Sequence, residues 1–294
     1  MIDYIAYQDT DSDFVLINDW ILNTLPEDKQ DNWVNMPDNE KIDYILKIAR
    51  IIEKDVNYRS YHETQKLDYN SQVEEDVFKI KFKQEVVIKT GIFTKKKKYV
   101  YHSIYEEGAE TDEIIFKGLE IIRSDSPIII KDKMKELATD IIRGLSDDEI
   151  VKRIEEYREL FLKCKPEDIS ENKSINNISK YIVKDSPMKR TPYTLKGYLA
   201  YKKICHALNI SHKYEDISEG QKAKVVYVKS NRFNQDIISY PDTWPEEFNE
   251  YIQIDYEKMI ENHFNKKLLL ILEPLNKVYL LSKKQEEFIS QFFE

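Results

Sequence analysis

Short apolar runs and one long helical stripe organise the first part of the chain. Two apolar runs, residues 4–7 and 14–17, flank an acidic turn and predict a β-hairpin. Residues 19–37 are polar between their tryptophans and predict a loop. From about 39 to 57, apolar residues recur at the spacing of a helix with one buried face. The pattern therefore predicts a hairpin, a loop and then an amphipathic helix.

The next segment alternates apolar and basic positions. Phe78, Ile80 and Phe82 share one side of an extended backbone, and the lysines between them share the other. This alternation predicts a strand with one buried and one basic face. A break is expected at residues 90–91, followed by a second strand at about 98–105.

Helical signals dominate after residue 126. Ser126 and Pro127 combine a capping hydroxyl with a proline at the first helical position. Ser146 opens a capping box that Glu149 closes, before an amphipathic run to about residue 162. Two more helices are predicted at 193–208 and 256–272, and two short strands at 225–228 and 237–239. The expected fold class is therefore α+β, with an antiparallel sheet and a packed helix followed by a mainly helical part.

Composition limits the class of protein. The chain has 294 residues and 41% apolar residues, enough to bury one or two cores. It has no run of 18 apolar residues and no signal-peptide pattern, so no membrane association is expected. Cys164 and Cys205 lie far apart and belong to no motif. Unpaired cysteines favour a reducing, cytoplasmic location.

Charge is distributed unevenly along the chain. The formal net charge is −9, yet residues 79–98 hold eight lysines and a single acid, Glu85. That segment carries +7 and the remainder carries −16. Clustered lysines can neutralise several phosphates, which gives salt-dependent affinity that is independent of base sequence. A solvated lysine turn is the alternative.

The acidic turn carries Asp9, Asp11 and Asp13 at alternate positions. Clustered carboxylates are suitable ligands for Mg²⁺. An EF-hand loop would need glycine at Phe14 and glutamate at Trp20, so that class is excluded. A phosphatase of the haloacid dehalogenase type would need a helix where a second apolar run follows. The residues alone leave open a metal site, such a metal-dependent phosphatase, and a solvated turn.

Three segments together resemble family B DNA polymerases, in the order that the family shows. Residues 7–12, Tyr-Gln-Asp-Thr-Asp-Ser, resemble motif C, usually Tyr-Gly-Asp-Thr-Asp-Ser, and the T-even phage branch also varies at the glycine. Residues 96–99 resemble the Lys-Lys-Arg-Tyr segment, with Lys98 in place of arginine. Residues 117–127 resemble the Lys-Gly-x-Glu-x-x-Arg-x-Asp-x-Pro segment between palm and thumb. The resemblance implies a partial palm at 1–125 and a thumb at 126–294.

The resemblance also implies roles for individual residues. Asp11 is expected to be the direct ligand, and Asp9 a weaker one, of two Mg²⁺ ions that serve nucleotidyl transfer. Glu85 is expected either as a third carboxylate near the metals or in an ion pair with Lys83 or Lys89. The expected contacts with primer–template DNA are Lys96, Lys97, Lys98, Tyr99, Lys117 and Arg123, of which residues 96–99 are expected along the minor groove of the new base pairs.

The last residues resemble a sliding-clamp-binding peptide. Ile289, Phe292 and Phe293 have the spacing Gln-x-x-aliphatic-x-x-aromatic-aromatic, although Glu286 stands where glutamine is usual. The alternative is that they form the last turn of a core helix.

Motif A, motif B and an exonuclease domain cannot be recognised in the 294 residues. The resemblance therefore predicts one half of a split phage polymerase, acting on DNA and dNTP in the host cytoplasm. It would be active only with a partner polypeptide that carries the exonuclease, motif A and fingers. A non-catalytic DNA- and clamp-binding relic is the alternative.

Overall fold

The chain folds into two compact units, Met1–Lys117 and Gly118–Glu294. The computed structural model describes residues 4–9, 12–67, 73–75, 77–119, 125–183, 186–187 and 190–281. Both units combine helices with small antiparallel sheets, which confirms the α+β prediction. The assignment of palm to residues 1–125 and thumb to 126–294 stays a prediction.

The first unit contains a hairpin, three helices and a three-stranded sheet. Its elements are β1 (Ile5–Gln8), β2 (Asp13–Val15), α1 (Ile17–Thr24), α2 (Glu27–Val34), α3 (Asp38–Leu67), β3 (Val86–Lys95), β4 (Lys98–Glu106) and β5 (Ala109–Lys117). The strands β1 and β2 pair as predicted, and the backbone N–H of Asp9 closes their turn by donating to the carbonyl of Ser12 at 2.9 Å.

The predicted loop at residues 19–37 is wrong, because α1 and α2 occupy most of it. Each of these short helices buries a single large side chain, Ile21 in α1 and Trp33 in α2. The indole N–H of Trp33 donates to the Asn18 side chain at 2.9 Å. Because each helix buries only one large side chain, its sequence shows no repeating apolar spacing, and the helices could not be predicted from such a pattern.

The predicted helix after residue 39 is confirmed, and α3 continues to Leu67. The predicted strand at 78–82 is wrong: Phe78 is buried, but Ile80 and Phe82 are exposed and no strand forms. The Asn57 side chain accepts from the N–H of Phe82 at 2.7 Å and donates to its carbonyl at 2.8 Å. These backbone groups bond to a helix side chain, where a strand would bond to a neighbouring strand.

The sheet of the first unit has the order β3-β4-β5, with both pairs antiparallel. The predicted strand at 98–105 is confirmed by β4, but the predicted break at 90–91 is wrong because Gly91 lies inside β3. A Cβ at Gly91 would lie 3.3 Å from the Tyr101 Cβ, so glycine permits close packing here rather than a turn. The polar start of β5 gave no strand signal.

The second unit follows the sequence pattern more closely. Its elements are α4 (Ile128–Ile142), α5 (Asp147–Leu162), α6 (Pro166–Ile169), β6 (Glu171–Ser174), α7 (Ile178–Tyr181), β7 (Ile182–Val183), β8 (Ser186–Pro187), α8 (Tyr193–Ala207), β9 (Lys222–Tyr227), β10 (Ile237–Tyr240), a 3₁₀ turn (Glu246–Glu250), α9 (Tyr256–Ile260), a π-helical stretch (Glu261–Asn265), α10 (Lys266–Leu272) and a 3₁₀ turn (Val278–Leu281). The predicted helices and the two predicted strands are all present.

Helix starts agree with their capping signals to within a residue. The Ser146–Glu149 capping box is formed as predicted. Pro127 takes the N-cap position of α4, while the Ser126 hydroxyl accepts a hydrogen bond from Lys267 at 2.5 Å. The strand β6 was not predicted, and it completes a sheet of order β10-β9-β6.

One core of the second unit lies between α8 and this sheet. Ile204 on the helix and Val226 and Ile238 on the strands are fully buried. Tyr240, Trp244 and Phe248 extend the cluster through edge-on ring contacts. Tyr198 and Tyr201 of α8 are buried as well.

Several predicted sites lie outside the described residues: Asp11, Arg123, Ile289, Phe292 and Phe293. Within the described segments, no helix is both long and apolar enough to cross a lipid bilayer.

Gly197 on α8 marks the closest contact between this helix and β10. A Cβ built at Gly197 would lie 2.7 Å from the backbone nitrogen of Ser239, which cannot move away as a side-chain tip could. We expect Gly197→Ala to lower the free energy of unfolding by about 1–3 kcal/mol through overpacking. Urea titration would measure it, with Lys203→Ala on the exposed face of α8 as a near-neutral control. Equal effects of the two substitutions would contradict the close packing.

Candidate active site and nucleic-acid interface

An aromatic cluster docks the acidic hairpin onto the sheet of the first unit. Tyr7 stacks on Phe93 at 5.5 Å between ring centroids, and Phe14 meets Phe93 edge-on at 5.2 Å. Tyr99 lies within 5.6 Å of both hairpin rings. Aromatic pairs at such distances contribute beyond the area they bury. Tyr101 borders the cluster, and burial raises the pKa of its hydroxyl to about 12.

A hydrogen bond fixes the hairpin against the turn between β3 and β4. This turn, residues 95–98, is called the lysine turn below. The backbone N–H of Lys97 donates to the Tyr7 hydroxyl at 2.7 Å. Lys97 has a φ of 60°, in the left-handed region that tight hairpin turns use. Two segments ninety residues apart in sequence are thereby held in one position.

The carboxylate of Asp9 faces this turn. Its Oδ2 lies 3.8 Å from the Lys97 Nζ, and only 15% of the Asp9 side chain is exposed, against 69% for Lys97. Because the lysine is largely solvated, the pair contributes little to stability. Its consequence is local: an ammonium group beside the carboxylate reduces the attraction of Asp9 for a second cation.

Those predicted DNA-contact residues that the structure describes, all but Arg123, lie at this end of the sheet. Lys96 and Lys97 are exposed at the tip of the lysine turn, and Lys98 is half-buried. Lys117 is exposed on β5 and lies directly opposite Tyr99 in the strand register. The lysine turn and Lys117 therefore present their cations beside the acidic hairpin.

Glu85 is not brought to this site. It lies just before β3, where its carbonyl accepts from the N–H of Glu107 at 3.0 Å. The ten residues of β3 separate it from the lysine turn, which at about 3.3 Å per residue is about 30 Å. Lys89, one predicted ion-pair partner of Glu85, instead pairs with Asp38.

The described residues of the acidic hairpin provide only some of the ligands that a Mg²⁺ ion needs. Carboxylate oxygens are the ligands that Mg²⁺ prefers, and Asp9 provides one beside the position of Asp11. Among the described residues, no group of three histidine, cysteine or acidic side chains is placed to hold a metal ion. A two-metal site would therefore need Asp11 and further carboxylates.

A second polar cluster lies in the second unit. Glu171, with 13% of its side chain exposed, accepts a hydrogen bond from the Tyr193 hydroxyl at 2.8 Å and lies 3.2 Å from the Nδ1 of His263. Lys173, two residues after Glu171 on β6, pairs with Asp125 at 2.5 Å. His263 sits in the π-helical stretch, and its buried Nε2 has no hydrogen-bond partner in the described part of the chain. Sequence inspection missed this cluster, because its members are dispersed over 140 residues.

Burial acts on both ionisable groups of this pair. Desolvation, with a smaller contribution from neighbouring lysines, lowers the pKa of His263 to about 4. Desolvation raises the pKa of Glu171, while the Tyr193 hydrogen bond opposes that change. The histidine is therefore neutral at neutral pH.

The site as described is a carboxylate-bearing hairpin docked beside a basic turn. A family model described as DNA polymerase family B matches residues 38–275, most of the chain. The chain therefore belongs to DNA polymerase family B.

One curated relative is a DNA-directed DNA polymerase of Enterobacteria phage T4. It is 27% identical over 188 residues, which cover 60% of this chain and 20% of the phage protein. This similarity confirms the predicted relation to the phage branch. The chain thus matches about a fifth of its relative's length. The family match begins after the acidic hairpin and ends before the C-terminal peptide, so the roles of those two segments stay predictions.

The Tyr7 hydroxyl can be tested separately from its ring. Tyr7→Phe keeps the stacking on Phe93 but removes the acceptor of the Lys97 N–H, so we expect the Lys97 amide to exchange with solvent several-fold faster. Hydrogen exchange followed by NMR measures this rate. The Glu107 amide, bonded to Glu85 at the other end of the β3–β4 pair, is the internal control and should not change. Unchanged exchange at Lys97 would contradict the hydrogen bond.

The buried histidine predicts acid sensitivity of the second unit. The folded-state pKa of His263, about 4, lies below its ordinary value of 6.5, so the unfolded chain binds this proton more readily between those values. The free energy of unfolding should therefore decrease as the pH is lowered, and His263 should account for about 2 kcal/mol of this decrease between about pH 7 and 5. The raised pKa of Glu171 has the opposite effect: at pH values above the ordinary pKa of a glutamate, it makes the free energy of unfolding increase as the pH is lowered.

His263→Gln should make this fall smaller, because the proton uptake on unfolding is lost. Urea titrations at about pH 7 and 5 measure the difference. His206→Gln, at an exposed histidine of α8, is the matched control and should keep the wild-type pH dependence. Equal pH dependence in His263→Gln and the wild type would contradict the assignment.

Proposed function

We propose that this chain forms the palm and thumb part of a DNA-directed DNA polymerase in phage DNA replication. Its substrates would be primer–template DNA and dNTP. The observation that supports this most directly is the hydrogen bond between Tyr7 and Lys97, with the aromatic cluster beneath it. It holds an acidic hairpin of motif C type against a lysine turn of the family's minor-groove type.

The proposed role of the lysine turn is to hold the duplex. The cations of Lys96, Lys97 and Lys117 would neutralise phosphates or reach minor-groove acceptors, which are nearly the same for all base pairs. Such contacts check the shape of the duplex without reading its sequence. The proposal includes Arg123 as a further contact, on the strength of its motif alone.

The proposed role of the hairpin is to hold metal. Asp11 would be the principal ligand, and Asp9 would act as a weaker ligand that also orients Lys97 at 3.8 Å. When bound, two Mg²⁺ ions stabilise the attacking and leaving oxygens of phosphoryl transfer. Glu85 is left out of this proposal because the length of β3 separates it from the hairpin.

The remaining carboxylates would come from a partner polypeptide that carries motif A, the fingers and the exonuclease. The support for this is chemical: Asp9 and Asp11 alone offer too few carboxylates to hold two Mg²⁺ ions. The C-terminal residues Ile289, Phe292 and Phe293 are proposed to bind a sliding clamp, with their spacing as the support.

Primer extension by the chain combined with such a partner tests the proposal. We expect Asp11→Ala to reduce extension by about a thousandfold, because a lost metal ligand removes several kcal/mol of transition-state stabilisation. DNA affinity, measured in the same samples, should change little. Asp13→Ala, two residues along and outside the motif, is the matched control and should stay within about twofold.

The other outcomes separate the alternatives. Extension by the chain without a partner would contradict the split enzyme. Unchanged extension in Asp11→Ala would contradict a catalytic role and favour the non-catalytic DNA- and clamp-binding subunit.

A further inference from the structure

The helix α3 exposes a basic and aromatic face that the proposed site does not use. Its residues, called the α3 stripe, lie at helical spacing over four turns: Tyr44, Lys47, Arg50, Ile51, Lys54 and Tyr58. The three apolar side chains of this face are unusually open, with 51% of Tyr44, 69% of Ile51 and 60% of Tyr58 exposed. Large apolar groups left in water mark a binding surface when they occur together.

The charge of the stripe is mainly positive. Lys47, Arg50 and Lys54 give it a formal +3 in a chain of −9, and the exposed Asp43 on the same face reduces this to +2. The other two acids of these turns bond to neighbouring groups. Glu53 accepts from the backbone N–H of Gln84 at 3.2 Å, and Asp55 pairs with Arg59 at 2.9 Å. The stripe therefore complements an anionic partner.

Cations and rings are interleaved along the stripe. The Lys47 Nζ lies 5.3 Å from the centre of the Tyr44 ring, so one ring and one cation already share a surface. Tyr58 follows Ile51 by two turns, as Ile51 follows Tyr44. From Tyr44 to Tyr58 the helix rises about 21 Å at 1.5 Å per residue, which is long enough for several nucleotides.

We propose that the α3 stripe binds single-stranded nucleic acid. Single strands are held by cations that follow the phosphates and by aromatic rings on which bases stack, and the stripe offers both. An acidic peptide would pair with the cations but would gain nothing specific from the exposed parts of the two tyrosine rings, of which Tyr58 packs against His62 on one side. This site is separate from the lysine turn and does not depend on polymerase activity.

Fluorescence anisotropy of the whole chain with a labelled oligothymidine tests the charges. Neutralising the stripe with Lys47→Gln, Arg50→Gln and Lys54→Gln should weaken binding at least tenfold at low salt. The dependence of log affinity on log salt should become shallower by about two, at about 0.7 for each lost phosphate contact. The control variant, Lys163→Gln with Lys165→Gln and Lys266→Gln, removes three exposed lysines of the second unit and should stay within about twofold.

Substitutions of Tyr58 test the stacking. Tyr58→Ala should weaken oligothymidine binding about fivefold or more, whereas Tyr58→Phe should bind like the wild type, because the ring and not the hydroxyl stacks. The inference is overturned if the neutralised stripe binds equally well. It is also overturned if Tyr58→Ala has no effect and polyglutamate competes as well as the oligonucleotide, which would indicate an acidic peptide partner.

A change in the lysine turn separates this inference from the proposed function. In a Lys96→Gln/Lys97→Gln background, neutralising the stripe should cause the same fold loss of single-strand affinity, because the sites are independent. Loss of duplex affinity in that background alone reports on the lysine turn. An effect of the stripe that disappears in this background would overturn the separate site.

Discussion

The docking of the acidic hairpin on the lysine turn is the constraint on which the site depends. Rings from β1, β2, β3 and β4 supply the apolar contact, and the hydrogen bond from Lys97 to Tyr7 fixes its register. Apolar packing alone is non-directional and would allow the hairpin to slide. One directed bond to the backbone of the turn removes that freedom. As a result, the carboxylate of Asp9 and the ammonium of Lys97 face each other at a defined separation instead of lying on two independent loops.

The sequence predicted what is encoded locally. The capping box at Ser146, the helices of the second unit and the antiparallel hairpin all follow from neighbouring residues, and the structure confirms them. The strand expected at 78–82 failed because its backbone groups bond to Asn57, and no local pattern contains that partner. The site behaved in the same way. Motif residues identified Asp9 and the lysine turn, but the role of Tyr7 as an anchor depends on a contact across ninety residues. Glu85 was expected near the metals or in an ion pair with Lys83 or Lys89, but it lies just before Val86 at the start of β3, at the far end of that strand from the lysine turn.

The two units use polar groups differently. In the first unit the charged groups lie at a rim where water and a ligand can reach them, and the apolar cluster below gives them a rigid base. In the second unit His263 is buried and Glu171 is largely removed from water, so their interaction involves a neutral imidazole rather than a full ion pair. A buried polar pair of this kind specifies how β6 and the π-helical stretch fit together. Because the imidazole is buried in its neutral form, the stability of the second unit is sensitive to acid, whereas a solvated pair would not cause this sensitivity.

The net negative charge of the chain makes the positions of its clustered cations important for binding a polyanion. A chain with a uniform positive charge would attract DNA over its whole surface, whereas here −16 outside residues 79–98 repels phosphates from most of it. Attraction is then confined to places where lysines and arginines outnumber acids locally, such as the lysine turn and the α3 stripe. The acidic remainder therefore acts as part of the recognition, because it penalises every orientation in which a polyanion misses the basic surfaces. Salt weakens both the attraction and the penalty, so higher ionic strength should lower affinity and selectivity for these surfaces together.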